Sequence, residues 1–109
     1  MIPIELLQYE DQRGRSPFGK WFAALDDQTA ARISRNLERL VAGNTSNLKG
    51  VGGGVTELRI DFGPGYRVYF GRDGDTVIIL LAGGTKKRQQ QDILDAQIRW
   101  SEYKRRKQG

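Results

Sequence analysis

The chain has 109 residues, room for one domain (1–109) and not two, and 38% of them are hydrophobic. It contains no Cys and no His. That removes disulfides, thiolate and imidazole metal sites, cysteine nucleophiles and all histidine-based catalysis. The net charge is +5, and residues 84–109 hold eight basic and three acidic residues against ten of each in residues 1–83. A basic field confined to one quarter of a chain attracts polyanions, nucleic acid above all, or else marks a solvated helix without a partner.

Residues 2–9 (IPIELLQY) are apolar and read as a first strand, followed by a polar run from Glu10 to Ser16. Ser16 and Pro17 carry a helix start, with Ser at the cap and Pro at the first helical position. Phe18, Trp21, Phe22 and Leu25 give this helix an apolar face. Asp27 is the expected cap of a second helix with Ala30, Ile33, Leu37, Leu40 and Val41 on one side, ended by Gly43-Asn44. Residues 43–54, with three consecutive glycines, read as loop.

Three strands are expected next. Residues 55–62 alternate in polarity, Gly63-Pro64-Gly65 turns the chain, and residues 66–71 form the second. Asp73-Gly74 signals a hairpin into residues 76–82. That third run is continuously apolar, the pattern of a strand covered on both faces, and Gly83-Gly84 is expected to end it. A last helix begins near Gln90, with Ile93, Ala96, Gln97 and Trp100 on one stripe and Thr85 or Asp92 as its cap. The class is α+β: an N-terminal strand and helical hairpin packed on a small antiparallel sheet, then a C-terminal helix. One sheet face is expected to stay partly open. No signal peptide or membrane-length apolar run is visible, which suggests a cytoplasmic protein without membrane contact.

Strand periodicity sorts the side chains. Leu58, Ile60, Phe62, Val68 and Phe70 fall in the core set, while Glu57, Arg59, Arg67 and Tyr69 share the opposite, open face. That cluster is either a cross-strand salt-bridge ladder, with Glu57 or Asp61 pairing an Arg, or a site for an anion. The second cluster, Gly83 to Asp92, presents Lys86, Lys87 and Arg88 between two glycines and a helix start, which suits phosphate. Its glycine spacing is not that of a P-loop. RNA cleavage without a metal or cofactor needs a base for the 2′-hydroxyl, cations for the phosphorane and a donor for the leaving 5′-oxygen. Arg, Lys, Tyr and Glu can supply these.

The stretches GVTELRIDFGPGYRVYF (54–70) and TVIILLAGGTKKRQQQDI (76–93), with FGKWFAALDDQTAARISRNLERL (18–40), resemble the HigB-like "addiction module killer protein" branch of the RelE/ParE toxin superfamily. The resemblance implies a messenger-RNA endoribonuclease acting at the ribosome. It implies neutralisation by an antitoxin with a helix-turn-helix domain, through which alone operator DNA is bound. By position it implies catalytic roles for Arg59, Arg67, Tyr69, Lys86, Lys87 and Glu57. The remaining cations Arg88, Lys104, Arg105, Arg106 and Lys107 are expected to hold RNA. Tyr103, beyond Trp100 in the long helix, is expected to pack rather than react. The superfamily also contains ParE-like gyrase poisons, and a non-catalytic interaction module is a further alternative, because fold alone does not fix the target.

Overall fold

The computed structural model describes residues 3–109. Strand β1 spans Glu5–Gln8; of the strand expected over 2–9, Ile2 lies outside the described residues. Helix α1 (Pro17–Ala23) starts as expected, with the Ser16 hydroxyl accepting from the Gly19 N–H at 2.9 Å. In α2 (Asp27–Val41) the cap is Asp26 and not Asp27: its carboxylate accepts the Thr29 N–H at 2.7 Å. Asp27 is the first helical residue instead, where its charge faces the positive end of the helix dipole. Gly43, at φ +96°, ends α2 in the left-handed region.

The stretch 43–54 is not all loop, because Leu48–Gly50 form β2 on the sheet edge. Then come β3 (Val55–Ile60), β4 (Tyr66–Asp73) and β5 (Val77–Thr85). The sheet order is β1-β5-β4-β3-β2. Strands β2 to β5 are antiparallel neighbours, and β1 joins β5 in parallel, so the α+β class holds with a mixed sheet. Strand β5 does not stop at Gly83-Gly84 but runs through them to Thr85. The glycines make room rather than break the strand: a Cβ on Gly83 would enter the Trp21 indole, and one on Gly84 would strike the Asp92 carboxylate. A bulge opposite Tyr69 inserts Leu81 as the extra residue of β5. It turns Leu81 and Ala82 into the same cluster, and the Leu81 carbonyl accepts from Arg99 Nη1 at 3.1 Å.

Both sheet faces carry helices: the second, expected to stay partly open, is roofed by α3, while Lys49 and Arg59 on it remain exposed. On one side α1 and α2 bury Phe18, Ile33, Leu37 and Leu40 against Leu58, Ile60, Val68, Phe70, Ile78 and Leu80. On the other, α3 (Gln89–Gln108) lays Ala96 and Trp100 over Val55, Tyr69, Ile79 and Leu81. A 3₁₀ turn (Lys86–Arg88) joins β5 to α3, and neither Thr85 nor Asp92 gives a side-chain cap. Trp100 sits flat against Gly71 of β4, where a Cβ would approach the indole to 2.5 Å. The far end of α3 is tied down by polar contacts. Tyr9 donates to Glu102 at 2.7 Å, Tyr103 to Asp73 at 2.6 Å, Arg106 to the Glu10 carbonyl at 2.6 Å, and Lys107 pairs with Asp73. Tyr103 stacks on Trp100 at 5.3 Å, the packing role expected of it. Among the described residues no helix is long and apolar enough to cross a membrane.

Two outcomes follow from how α3 is held. Gly71→Ala is expected to destabilise the fold by about 1–3 kcal/mol, since the buried Trp100 must move to admit a methyl group. A melting curve unchanged from wild type would show that the indole does not rest on Gly71. Burial and the Glu102 carboxylate push the Tyr9 phenol up to about 12, and burial with Asp73 does the same for Tyr103. A raised phenol adds stability that is complete below the ordinary tyrosine value near 10 and is lost as pH climbs through the folded value. Chemical denaturation between about pH 10 and 12 should therefore show stability falling, and falling less for a Tyr9→Phe, Tyr103→Phe double variant.

Candidate active site

The register of β3 on β4 sets the site. Arg59 stands directly opposite Arg67, and Glu57 opposite Tyr69. The salt-bridge ladder is therefore not formed, and the two arginines are cross-strand neighbours on one face, their backbones one strand spacing apart, about 4.8 Å. Like charges in that relation destabilise a strand pair unless an anion lies between them. Among the described residues, neither Arg takes part in an ion pair. Arg67 is only 6% exposed, and its Nε is buried with no hydrogen-bond partner among the described residues. A buried guanidinium donor left unpaired costs free energy that a bound oxyanion would recover.

The Gly63-Pro64-Gly65 turn shapes the space in front of these arginines. Gly65 sits at φ +83°, and Arg67 Nη1 lies 3.1 Å from where a Cβ would stand. The Lys86 N–H donates to the Gly65 carbonyl at 2.8 Å, which pins the 3₁₀ turn beside the β3–β4 turn. The result is a cleft of about 590 Å³ lined by Lys49, Arg59, Asp61, Phe62, Gly63, Pro64, Gly65, Arg67, Lys86 and Gln89. Four cations and one carboxylate line it.

The expected residues divide into four groups. Arg59, Arg67 and Lys86 meet in the cleft. Lys87 and Arg88 line an adjoining hollow with Lys86 and Gln89, and Arg88 reaches Asp92 at 3.7 Å. Glu57 and Tyr69 belong to the same face as the arginines but lie beneath α3, fully buried, rather than on an open surface. Glu57 Oε2 accepts from Gln89 Nε2 at 2.8 Å, so it holds a residue of the cleft wall. Burial and the Glu57 carboxylate push the Tyr69 phenol well above its ordinary range and keep it neutral. Lys104, Arg105, Arg106 and Lys107 lie at the far end of a helix about 30 Å long. Three of them are engaged there: Lys104 over the Trp100 ring, Arg106 with Glu10 and Glu102, Lys107 with Asp73.

Sequence reading missed Lys49, Asp61 and Gln89 as cleft residues. Lys49 was hidden because β2 was not foreseen; its pairing with Glu57 puts it on the α3 side of the sheet. The sequence offers Asp61 only as a salt-bridge partner, and Gln89 only as a member of the Gly83–Asp92 cluster without a role of its own.

The like-charge pair makes its own prediction. Arg59→Thr should raise the melting temperature in chloride by roughly 1–4 °C, because it relieves the repulsion. It should also shrink the extra stabilisation that sulfate gives the wild type at matched ionic strength. Equal sulfate gains in both proteins would show that no anion sits between the arginines.

This chain is similar to other proteins over most of its length. A Haemophilus influenzae (strain KW20 Rd) protein described as uncharacterized is 42% identical over 82 residues, which is 74% of this chain and 83% of that one. The family described as phage derived protein Gp49-like (DUF891) matches residues 20–101, from α1 to the middle of α3. That match takes in β2 to β5, both turns and every residue lining the cleft, and on it the chain belongs to the phage-derived Gp49-like family.

Proposed function

We propose that this chain is the toxin of a toxin–antitoxin pair and that it cleaves messenger RNA, with the scissile phosphate seated between Arg59 and Arg67. The observation that carries this reading is the unpaired, buried guanidinium of Arg67 facing a second arginine in a cationic cleft. Membership in a phage-derived family and the resemblance of the 54–70 and 76–93 stretches to addiction-module toxins support it.

The chemistry is written with this chain's side chains. Arg67, fixed by burial, and Arg59, exposed beside it, neutralise the charge that builds on the phosphorane. As the 2′-oxygen bonds to phosphorus and the phosphorus–O5′ bond breaks, Lys86, held at the cleft mouth by its backbone bond to Gly65, gives a proton to the leaving 5′-oxygen. Asp61 is the carboxylate on the cleft wall and accepts the 2′-hydroxyl proton. Glu57 and Tyr69 act from beneath: Glu57 orients Gln89, and the neutral Tyr69 fills the space under Arg67 without adding charge. Lys87 adds positive potential beside the cleft. The partner in this reading is a helix-turn-helix antitoxin that masks the cleft or keeps the toxin from the ribosome.

Induced expression in a bacterial host, followed by primer extension on abundant transcripts, tests the proposal. New 5′ ends and growth arrest are expected, and Arg67→Ala should reduce cleavage by about 10²–10³-fold, the scale for removing one transition-state donor. Arrest without new ends would replace the nuclease reading with a gyrase-directed toxin. No arrest would overturn the toxin reading.

A further inference from the structure

The cleft does not end at the scissile site. It shares Lys49, Arg59 and Asp61 with a hollow on the β2 side, and Lys86 and Gln89 with the hollow at the start of α3. Three adjoining concavities thus make one trough across the end of the sheet, from β2 over β3 and β4 to the 3₁₀ turn. Six cations line it: Lys49, Arg59, Arg67, Lys86, Lys87 and Arg88. Among the described residues, only Arg88 of the six is in an ion pair. Asp61 and Glu57 are the carboxylates on its walls, and Glu57 is fully buried and bonded to Gln89. From β2 to β5 the trough crosses three strand spacings, about 14 Å, longer than one phosphate group needs.

We infer that this trough is a track for single-stranded RNA that engages at least three consecutive phosphates, with Lys49 on β2 as its outermost contact. The inference rests on the RNA reading of the cleft. It assigns substrate binding to the trough and not to the basic end of α3, where Lys104 lies over Trp100 of the same helix and Arg106 and Lys107 tie the helix to Glu10 and Asp73. A flexible single strand can follow a row of cations spread over β2, β3, β4 and the 3₁₀ turn. A rigid duplex presents its phosphates along a straight groove edge and would meet only part of the row.

The test uses the full chain and a fluorescein-labelled 2′-O-methyl RNA octamer, which binds but cannot be cut through its 2′-oxygen. Fluorescence anisotropy across a salt series gives the number of phosphates neutralised. A slope of log K against log salt near about −3 is expected, from roughly four contacts at 0.7 each. Lys49→Ala and Lys87→Ala should each flatten the slope by about 0.7 and weaken binding roughly fivefold, while circular dichroism stays unchanged. The matching duplex should bind more weakly than the single strand. The inference is overturned if Lys49→Ala binds like wild type, or if Arg105→Ala flattens the slope as much as the trough variants. It is also overturned if poly-glutamate of equal charge competes as well as RNA, which would mark an acidic protein partner instead. Because the probe cannot be cleaved, the outcome is separate from the nuclease test. Binding with these slopes and no cut ends in cells leaves the track standing and removes the cleavage step.

Discussion

Two tryptophans lie on two glycines of the sheet, and the arrangement of everything else depends on these contacts. Trp100 of α3 rests on Gly71 from one side, and Trp21 of α1 rests on Gly83 from the other. An indole needs a flat floor, and a strand glycine gives one at the cost of a weaker strand. The return is large buried area on each face. Helices are thereby fixed on both sides of a sheet of five short strands, and the first turns of α3 are placed over Glu57 and Tyr69. The wall of the cleft is a by-product of that docking, since Lys86 and Gln89 come to the arginines only because α3 starts where it does.

The cleft pays for its charge in a way the packing makes visible. Four polar side-chain atoms under the start of α3 are buried without partners among the described residues: Glu57 Oε1, Arg67 Nε, Tyr69 Oη and Asp92 Oδ2. Burial holds the Asp92 carboxyl above its usual range although Arg88 stands near it. Such groups are rare in a core built for stability alone and concentrate where a site needs poised charge. The hydrophobic cluster of Val55, Ile79, Leu81, Ala96 and Trp100 beside them supplies the stability that lets this polar pocket persist.

Much of this was legible in the residues. Ser16-Pro17, the stripe of Ile33, Leu37 and Leu40, and the turn Gly63-Pro64-Gly65 each carry a local signal with a physical cause, and each gave its element. That Arg59 and Arg67 share one face was legible too, because strand parity needs no tertiary knowledge, whereas their direct opposition depends on the register. Strand β2 was not legible: three residues hold too little alternation, and flanking glycines mask it. The covered second face was misjudged although β5 announced it, since a run as apolar as residues 77–82 needs shelter on both sides. The two glycines after it read as a break because their purpose lies in side chains of other elements, Trp21 of α1 and Asp92 of α3. Individual chemical roles were not legible at all, because burial separates Glu57 and Tyr69 from Arg59 on one and the same face.

Strand β1 finds its partner far along the chain: Glu5 pairs with Val77, and Tyr9 reaches Glu102 on the last helix. Beginning and end are thus stitched to one another, and the contacts that complete the sheet are among the most distant available. A chain emerging from its ribosome cannot close this structure until α3 has followed the strands out, because that helix roofs Glu57 and supplies Gln89. Half-made chains therefore carry the arginines without the pocket. The cationic cleft comes into being only once the start of α3 has joined the sheet.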